Sequence, residues 1–277
     1  MMNFKVDREK CMGCGACVED CPTEAITMVD GAPAVAEAGE RKCLSCQHCV
    51  AVCPVGAVSI CGVGPEDCLS EGELPTPEEM ASLIKFRRAC RNYHRENVAP
   101  WKIDALLDAL QWSPTGCNSR AMHFSVVDDV DAMDVIRSKF IQKVLGAMND
   151  GTLPPAMKNT LLYRPMMERG EDPLLCSAPH MIVAAPHDKA PCSAFDPVIA
   201  LTTFDLMAQS LGLGTLWCEF GRMVMNQLFP EAKELLGIPK KHHLGAIMLF
   251  GEPAVEYHRT TRPRPFGMAR ISSLEGR

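Results

Sequence analysis

The runs Cys11-Met-Gly-Cys14-Gly-Ala-Cys17-Val-Glu-Asp-Cys21-Pro22 and Cys43-Leu-Ser-Cys46-Gln-His-Cys49-Val-Ala-Val-Cys53-Pro54 share one cysteine spacing, and each continues into a similar tail, Pro22-Thr-Glu-Ala-Ile26 and Pro54-Val-Gly-Ala-Val58. An internal duplication accounts for the pair better than chance does, and it implies two-fold symmetry in the first part of the chain. Gly13 and Gly15 are the small residues a chain needs where it winds closely around a bulky group. Eight of the fifteen cysteines lie in these runs, in a chain whose Met1 to Lys10 start lacks the apolar core of a signal peptide. That crowding reads as metal ligation in a reducing compartment. Disulfides suit neither compartment nor spacing, and zinc sites pair cysteines two at a time rather than four in this rhythm. Four thiolates per centre, three of them from one tight loop, fit the corners of a 4Fe-4S cube. The other cysteines, Cys61, Cys68, Cys90, Cys117, Cys176, Cys192 and Cys218, show no ligand spacing and are expected as small buried apolar residues.

Outward from these runs, the composition is that of a folded globular chain: 277 residues, 47% hydrophobic and 22% charged. A net charge of -6 with no basic run argues against a nucleic-acid partner. The longest apolar stretches, such as Leu244 to Phe250 and Met181 to Ala185, are too short to cross a bilayer, so a cytoplasmic protein with no membrane partner is expected. The length favours two unequal domains. Residues 1–62 hold the cysteine runs, 63–77 are rich in Gly, Pro, Glu and Ser and read as a linker, and 78–270 read as a second domain. In that domain the apolar spacing predicts helices over Pro77 to Arg88, Trp101 to Trp112, Pro197 to Leu211 and Asn226 to Leu236, the second with Ile103, Leu106, Leu107 and Leu110 on one face. Phe124 to Val127, Met181 to Ala185, Thr215 to Phe220 and Leu244 to Phe250 read as strands. The class is α+β, in layers, with the strand order left open. Residues 140–173, with Gly146, Gly151 and Pro154-Pro155, are either a mobile lid that brings Tyr163 and Arg164 to a substrate or an ordinary surface helix. Ser272 to Arg277 look unlike folded structure.

The doubled motif closely resembles the two-cluster bacterial ferredoxins, in which the fourth cysteine of each run serves the other cluster. The resemblance implies two 4Fe-4S clusters, one on Cys11, Cys14, Cys17 and Cys53, the other on Cys43, Cys46, Cys49 and Cys21.

Four patches of the second domain resemble the FMN-dependent nitroreductase family: Arg87-Arg88-Ala89-Cys90-Arg91; Ser113-Pro114-Thr115-Gly-Cys-Asn118-Ser with Arg120-Ala-Met-His-Phe124; Leu211-Gly-Leu-Gly-Thr-Leu-Trp217-Cys218-Glu219; and Arg262-Pro-Arg264. The resemblance implies a dimeric nitroreductase-like α+β sandwich with FMN at the subunit interface. By it, Arg87, Arg262 and Arg264 would clamp the FMN phosphate, and planar guanidinium groups suit that task. Arg91 would meet the charge that reduction builds at N1 and O2 of the ring. Trp217, Cys218, Glu219 and Phe220 would approach the ring near N5, and Pro114, Thr115 and Asn118 would bind FMN from the partner subunit. Arg88 belongs to the same motif, with a solvated helix face as its plain alternative. Two departures from the family pattern stand out. Ala89 replaces a serine hydroxyl that helps hold phosphate, and Arg120-Ala121-Met122 stands where Gln-Pro-Trp is frequent. His123 is expected as a packed core residue, and Cys117 and Cys218 carry no assigned chemistry. No catalytic side chain is assigned, because the flavin performs the transfer.

The expected protein is therefore an iron-sulfur flavoprotein oxidoreductase. Electrons from ferredoxin or a reduced nicotinamide would pass through the clusters to FMN and on to a small organic acceptor of nitroaromatic, quinone or enone type. The alternative is an electron-transfer module of a larger redox complex without an organic substrate of its own.

Overall fold

The computed structural model describes residues 2–69, 72 and 74–272. The reading of the chain end past Ser272 and part of the linker reading therefore fall outside the described residues.

The first segment contains β1 (Lys5–Val6), α1 (Ala16–Glu19), β2 (Ile26–Val29), β3 (Ala32–Val35), α2 (Gly39–Lys42), α3 (His48–Ala51) and β4 (Val58–Ser59). β1 pairs antiparallel with β4, which ties the chain ahead of the first cysteine run to the chain behind the second. β2 and β3 form a hairpin turned by Asp30-Gly31, both at positive φ (48° and 76°), the conformation that an Asp-Gly pair takes in a tight two-residue loop. Each short helix inside a run starts from a left-handed residue, Gly15 at φ 79° and Gln47 at φ 63°. Gly13 (φ 72°) and Ser45 (φ 53°) are a second equivalent pair. The duplication is therefore visible in the backbone, and the second run adopts with ordinary residues what the first adopts with glycine, at about 1–2 kcal/mol per residue.

The larger domain runs α4 (Pro77–Phe86), α5 (Pro100–Gln111), β5 (Met122–Val127), α6 (Val130–Asn149), α7 (Arg164–Glu168), β6 (His180–Pro186), α8 (Asp196–Ser210), β7 (Gly214–Trp217), α9 (Glu219–Gln227), α10 (Ala232–Leu235) and β8 (Ala246–Gly251). The sheet order is β5-β6-β8-β7, antiparallel throughout. Alternate residues of the central strands face opposite layers. Met181, Val183, Ile247 and Leu249 pack with Phe140, Val144 and Val224 from α6 and α9, whereas Ile182, Ala184, Met248 and Phe250 pack with Leu106, Leu201 and Phe204 from α5 and α8. That period-two division makes a helix–sheet–helix sandwich and explains why β6 and β8 read as unbroken apolar runs.

Local signals set the boundaries. Thr76 caps α4 by accepting from Glu79 N (3.2 Å), while the Glu79 carboxylate accepts from Thr76 N (2.8 Å), a reciprocal capping box. α8 ends where Gly212 turns left-handed at φ 75° and Leu213 N returns to Ala208 O. Three readings are corrected. The strand expected over Thr215 to Phe220 stops at Trp217, and Glu219 and Phe220 open α9. The helix expected over Asn226 to Leu236 is two helices, because Pro230 has no N–H to continue the first. Residues 130–149, partly assigned above to a lid, form the twenty-residue α6, capped by Asp129, which accepts from Ala132 N (2.9 Å).

Candidate functional site

Two hollows in the first segment are ringed by thiols. One is lined by Cys11, Cys14, Cys17 and Cys53, the other by Cys21, Cys43, Cys46 and Cys49. These are the two crossed quartets carried over by position. Burial raises the Cys49 thiol to about 12, helped by the neighbouring Cys46, Cys17 and Cys43, and burial likewise raises Cys17. The thiols of Cys17 and Cys49 ionise only if a cation sits beside them, which is what iron supplies. Among the described residues, no three His, Cys, Asp or Glu side chains converge as a single metal ion requires. Four thiols around each hollow fit a cubane held at its corners. Backbone amides support the sulfurs: Ala25 N points to Cys21 Sγ (3.3 Å), Ala57 N to Cys53 Sγ (3.2 Å) and Ser45 N to Cys43 Sγ (3.4 Å). Of the remaining cysteines, Cys90 and Cys218 are buried as expected, while Cys68 and Cys117 are exposed and Cys61, Cys176 and Cys192 half-buried. The expectation fails where cysteine sits on a turn instead of a core face.

In the larger domain, Arg87 to Arg91 leave α4 and run beside β7. Ala89 bridges Thr215, and Cys90 N donates to Thr215 O (2.8 Å). The strip continues to Tyr93, which pairs with Pro253 beyond β8. The first and third sequence patches are thereby brought side by side. A buried acid that the sequence reading missed, Asp205 on α8, joins them: it accepts from the Thr215 hydroxyl and pairs with Arg87 Nη1 at 3.3 Å. A carboxylate in the middle of an apolar helix was the signal that could have found it. Gly214 admits no side chain, since a Cβ there would lie 2.7 Å from Cys90 Sγ.

Arg91 lines an open cavity of about 710 Å³, with Tyr93, Arg95, Arg137, Met166, Gly170 to Pro173 and Cys176. Its volume lies within the range that bound cofactors and substrates occupy. Arg95 and Arg137 are both tied to Asp134, and Arg137 Nε also meets Asp172 (2.8 Å). Arg91 differs: its Nη1 donates to Ala89 O (3.3 Å), and among the described residues no carboxylate pairs with it. Of the residues expected to bind FMN, Arg91 alone lines this cavity; Arg87, Ala89 and Trp217 to Phe220 are not in its wall. Asp172, Arg137 and Cys176 were not anticipated. Burial raises the Cys176 thiol and raises Cys218 to about 12, so both are protonated at neutral pH. Glu219 is held below the usual carboxylate range by its hydrogen bond to Arg222 and stays ionised there.

Other expected residues lie elsewhere. The Arg88 head donates to Lys85 O (2.9 Å) and Arg87 O (2.6 Å), capping the end of α4. Arg262 and Arg264 are exposed in the extended tail, and no ion pair among the described residues involves them. The second patch sits at the other end of α8, where Gly116 N donates to Asp196 Oδ1 (3.0 Å) and Gly116 packs on Cys192. Pro114 is exposed there, and Thr115 and Asn118 are half-buried. Tyr163 and Arg164 do not line the cavity, and Arg164 is bound to Glu168 and Asn149. His123 is half-buried, not packed in the core, and its ring lies 6.1 Å from that of His242.

The nitroreductase family profile matches residues 84–252, more than half of the chain. The chain belongs to the nitroreductase family. A 4Fe-4S dicluster domain profile matches residues 10–57. No curated protein matches the sequence. Solved structures with the same fold include an FMN-bound nitroreductase from Bacteroides fragilis (20% identity, 69% of this chain and 99% of that one, TM-score 0.55). Others are an FMN-bound nitroreductase from Desulfitobacterium hafniense (23%, 69% and 97%, 0.56) and an FMN-dependent nitroreductase from Clostridium difficile (17%, 71% and 100%, 0.53). As a family member this protein is an FMN-dependent oxidoreductase, and with its 4Fe-4S domain it is an iron-sulfur flavoprotein. No helix among the described residues is long and apolar enough to cross a membrane.

Proposed function

We propose that this nitroreductase-family protein is a cytoplasmic homodimer that passes electrons from two 4Fe-4S clusters to FMN and on to a small organic acceptor of nitroaromatic, quinone or enone type. The observation that carries the reading is the presence, in one chain, of two four-thiol hollows and an Arg87 to Arg91 strip laid against β7. When bound, the clusters supply single-electron carriage and FMN the paired-electron chemistry.

The protein's own groups then have separate tasks. Arg87, held by Asp205, presents its remaining donors to the FMN phosphate, joined by Arg262 and Arg264 of the tail. Arg91 would hold the pyrimidine edge of a bound flavin, where a fixed cation raises the potential. Backbone groups of Trp217 to Phe220, fixed by the β7–α9 turn, would hold the flavin near N5, and Ala89 would stand where the family has a phosphate-binding hydroxyl. Arg88 shapes the end of α4 beside the clamp.

A second copy completes the site. The Arg87 strip meets α8 at Asp205 and the Pro114–Asn118 patch meets it at Asp196. At 1.5 Å per residue these points are about 14 Å apart along the helix, and the resemblance to the family assigns the second patch to the flavin of the partner subunit. Phe195, Val198 and Ile199 beside and on α8 and Met80, Ile84 and Phe86 on α4 leave an exposed apolar face that favours such pairing.

The test is an anaerobic reductive titration of the purified protein with visible and EPR detection. Uptake of about four electrons per chain, two by flavin and one by each cluster, with reoxidation by a nitroaromatic or quinone, is expected. Uptake of about two without a flavin signal, or no reoxidation by any organic acceptor, would leave an electron-transfer module instead.

A further inference from the structure

We propose that Asn118 is a positioning residue that seats the loop of the Cys43 cluster on the flavin domain, which makes this cluster the inner one and the Cys11 cluster the outer one. The inference deepens the function proposed above and rests on it for the flavin side.

The observation is a pair of hydrogen bonds. Asn118 Nδ2 donates to Leu44 O (3.0 Å) and Ser45 O (3.1 Å). Carbonyl oxygens only accept, so the amide nitrogen must be the atom that faces them, and both of its protons are used. Asn118 Oδ1 is left as an acceptor for a flavin N–H or hydroxyl. The link reaches the metal ligand directly, because Ser45, whose carbonyl takes the Asn118 proton, sends its own N–H to Cys43 Sγ at 3.4 Å. A continuous bonded chain thus runs from a ligand sulfur through one peptide residue to a side chain of the flavin domain.

The backbone on both sides is held in an uncommon shape for this contact. Cys117, Asn118 and Arg120 have φ of 53°, 49° and 50°, and Ser45 has 53°. Asparagine is among the few residues that accept the left-handed region readily, and strained backbone gathers where structure serves function. Among the described residues the equivalent loop of the first run has no such partner: Met12 is 65% exposed and Cys14 is exposed, at a face open to an external electron donor.

The test uses the holoenzyme. Asn118→Asp keeps the size and the left-handed tolerance but removes both donors and sets a carboxylate against two carbonyl oxygens. Asn118→Gly removes the side chain without backbone strain and guards against a variant that fails to fold. Amide exchange and EPR-monitored redox titration are read together. Both variants are expected to speed exchange across residues 43–49 by about tenfold, as loss of a bond pair of roughly 1.4 kcal/mol implies, and to leave residues 11–17 unchanged. One of the two cluster potentials should move and the other stay, since loosening alters the Ser45 bond to sulfur. Asn118→His, which retains a ring N–H, should recover part of the protection. Equal response of both loops, response of neither, or flavin loss with unaltered loop exchange would overturn the assignment. Wild-type protein that binds no FMN would instead sink the flavin reading, and loop exchange is measured independently of it.

Discussion

Arg87 and Asp205 allow the structural and functional parts of one ion pair to be separated. Asp205 is 4% exposed at its side chain, and its carboxylate is met by the Thr215 hydroxyl and Arg87 Nη1. Arg87→Ala leaves that buried charge with a single neutral partner. Breaking a fully buried pair costs about 3–5 kcal/mol, but Arg87 is 37% exposed and water screens part of the interaction, so a loss of about 2 kcal/mol is expected. The double variant Arg87→Ala/Asp205→Asn removes the orphaned charge and should regain most of that stability, since the amide oxygen still accepts from Thr215. FMN binding should not return with it. One charge-assisted phosphate contact contributes about 1.5–3 kcal/mol, a loss of roughly 10- to 150-fold in FMN affinity for both variants. Chemical denaturation gives the first quantity and flavin fluorescence titration the second. FMN affinity within about threefold of wild type in Arg87→Ala would refute the clamp, and a double variant no more stable than Arg87→Ala would refute the electrostatic account of Asp205.

Gly13→Ala should abolish one cluster: φ is 72° and a Cβ would lie 2.7 Å from Gly31 O, so iron analysis should fall from about eight to about four per chain. Iron removal by a chelator should unfold the first segment and spare the second domain, because a core of Met2, Ala25, Ile26, Val50, Val58 and Ile60 with its two cysteines is too small to stand without metal; amide exchange resolved by segment reads this, and uniform protection in the iron-free protein would contradict it. His180 is buried, its Nε2 accepts from Val98 N (2.9 Å), and burial lowers its pKa below 6.5. The unfolded chain therefore takes up the proton first, so stability is fully present above pH 6.5 and declines below it; a melting temperature flat from pH 7.5 to 5.5, or a decline retained in His180→Gln, would count against this.

The cluster half of the protein was legible in sequence because the spacing of covalent ligands along one tight loop is a local property: Cys11 to Cys17 can wrap a cube before anything else folds. The crossing of Cys21 and Cys53 followed only by resemblance, and it takes the antiparallel β1–β4 pairing to bring the two runs together. The α5 face and the ends of α8 were likewise legible, since 3.6-residue periodicity and a glycine stop are written in consecutive residues. The long α6 was not, because Gly146 and the Gly- and Pro-rich chain after it outweighed its apolar stripe. What tertiary structure alone decided was proximity between distant residues. Nothing local links Arg87, Asp205 and Thr215, or Asn118 and Ser45; helix packing on the sheet makes the first meeting, and the seating of one domain on the other makes the second. A charge within an apolar helix or an asparagine in a turn has its meaning set by what folds against it, and that information lies in no single stretch of the chain.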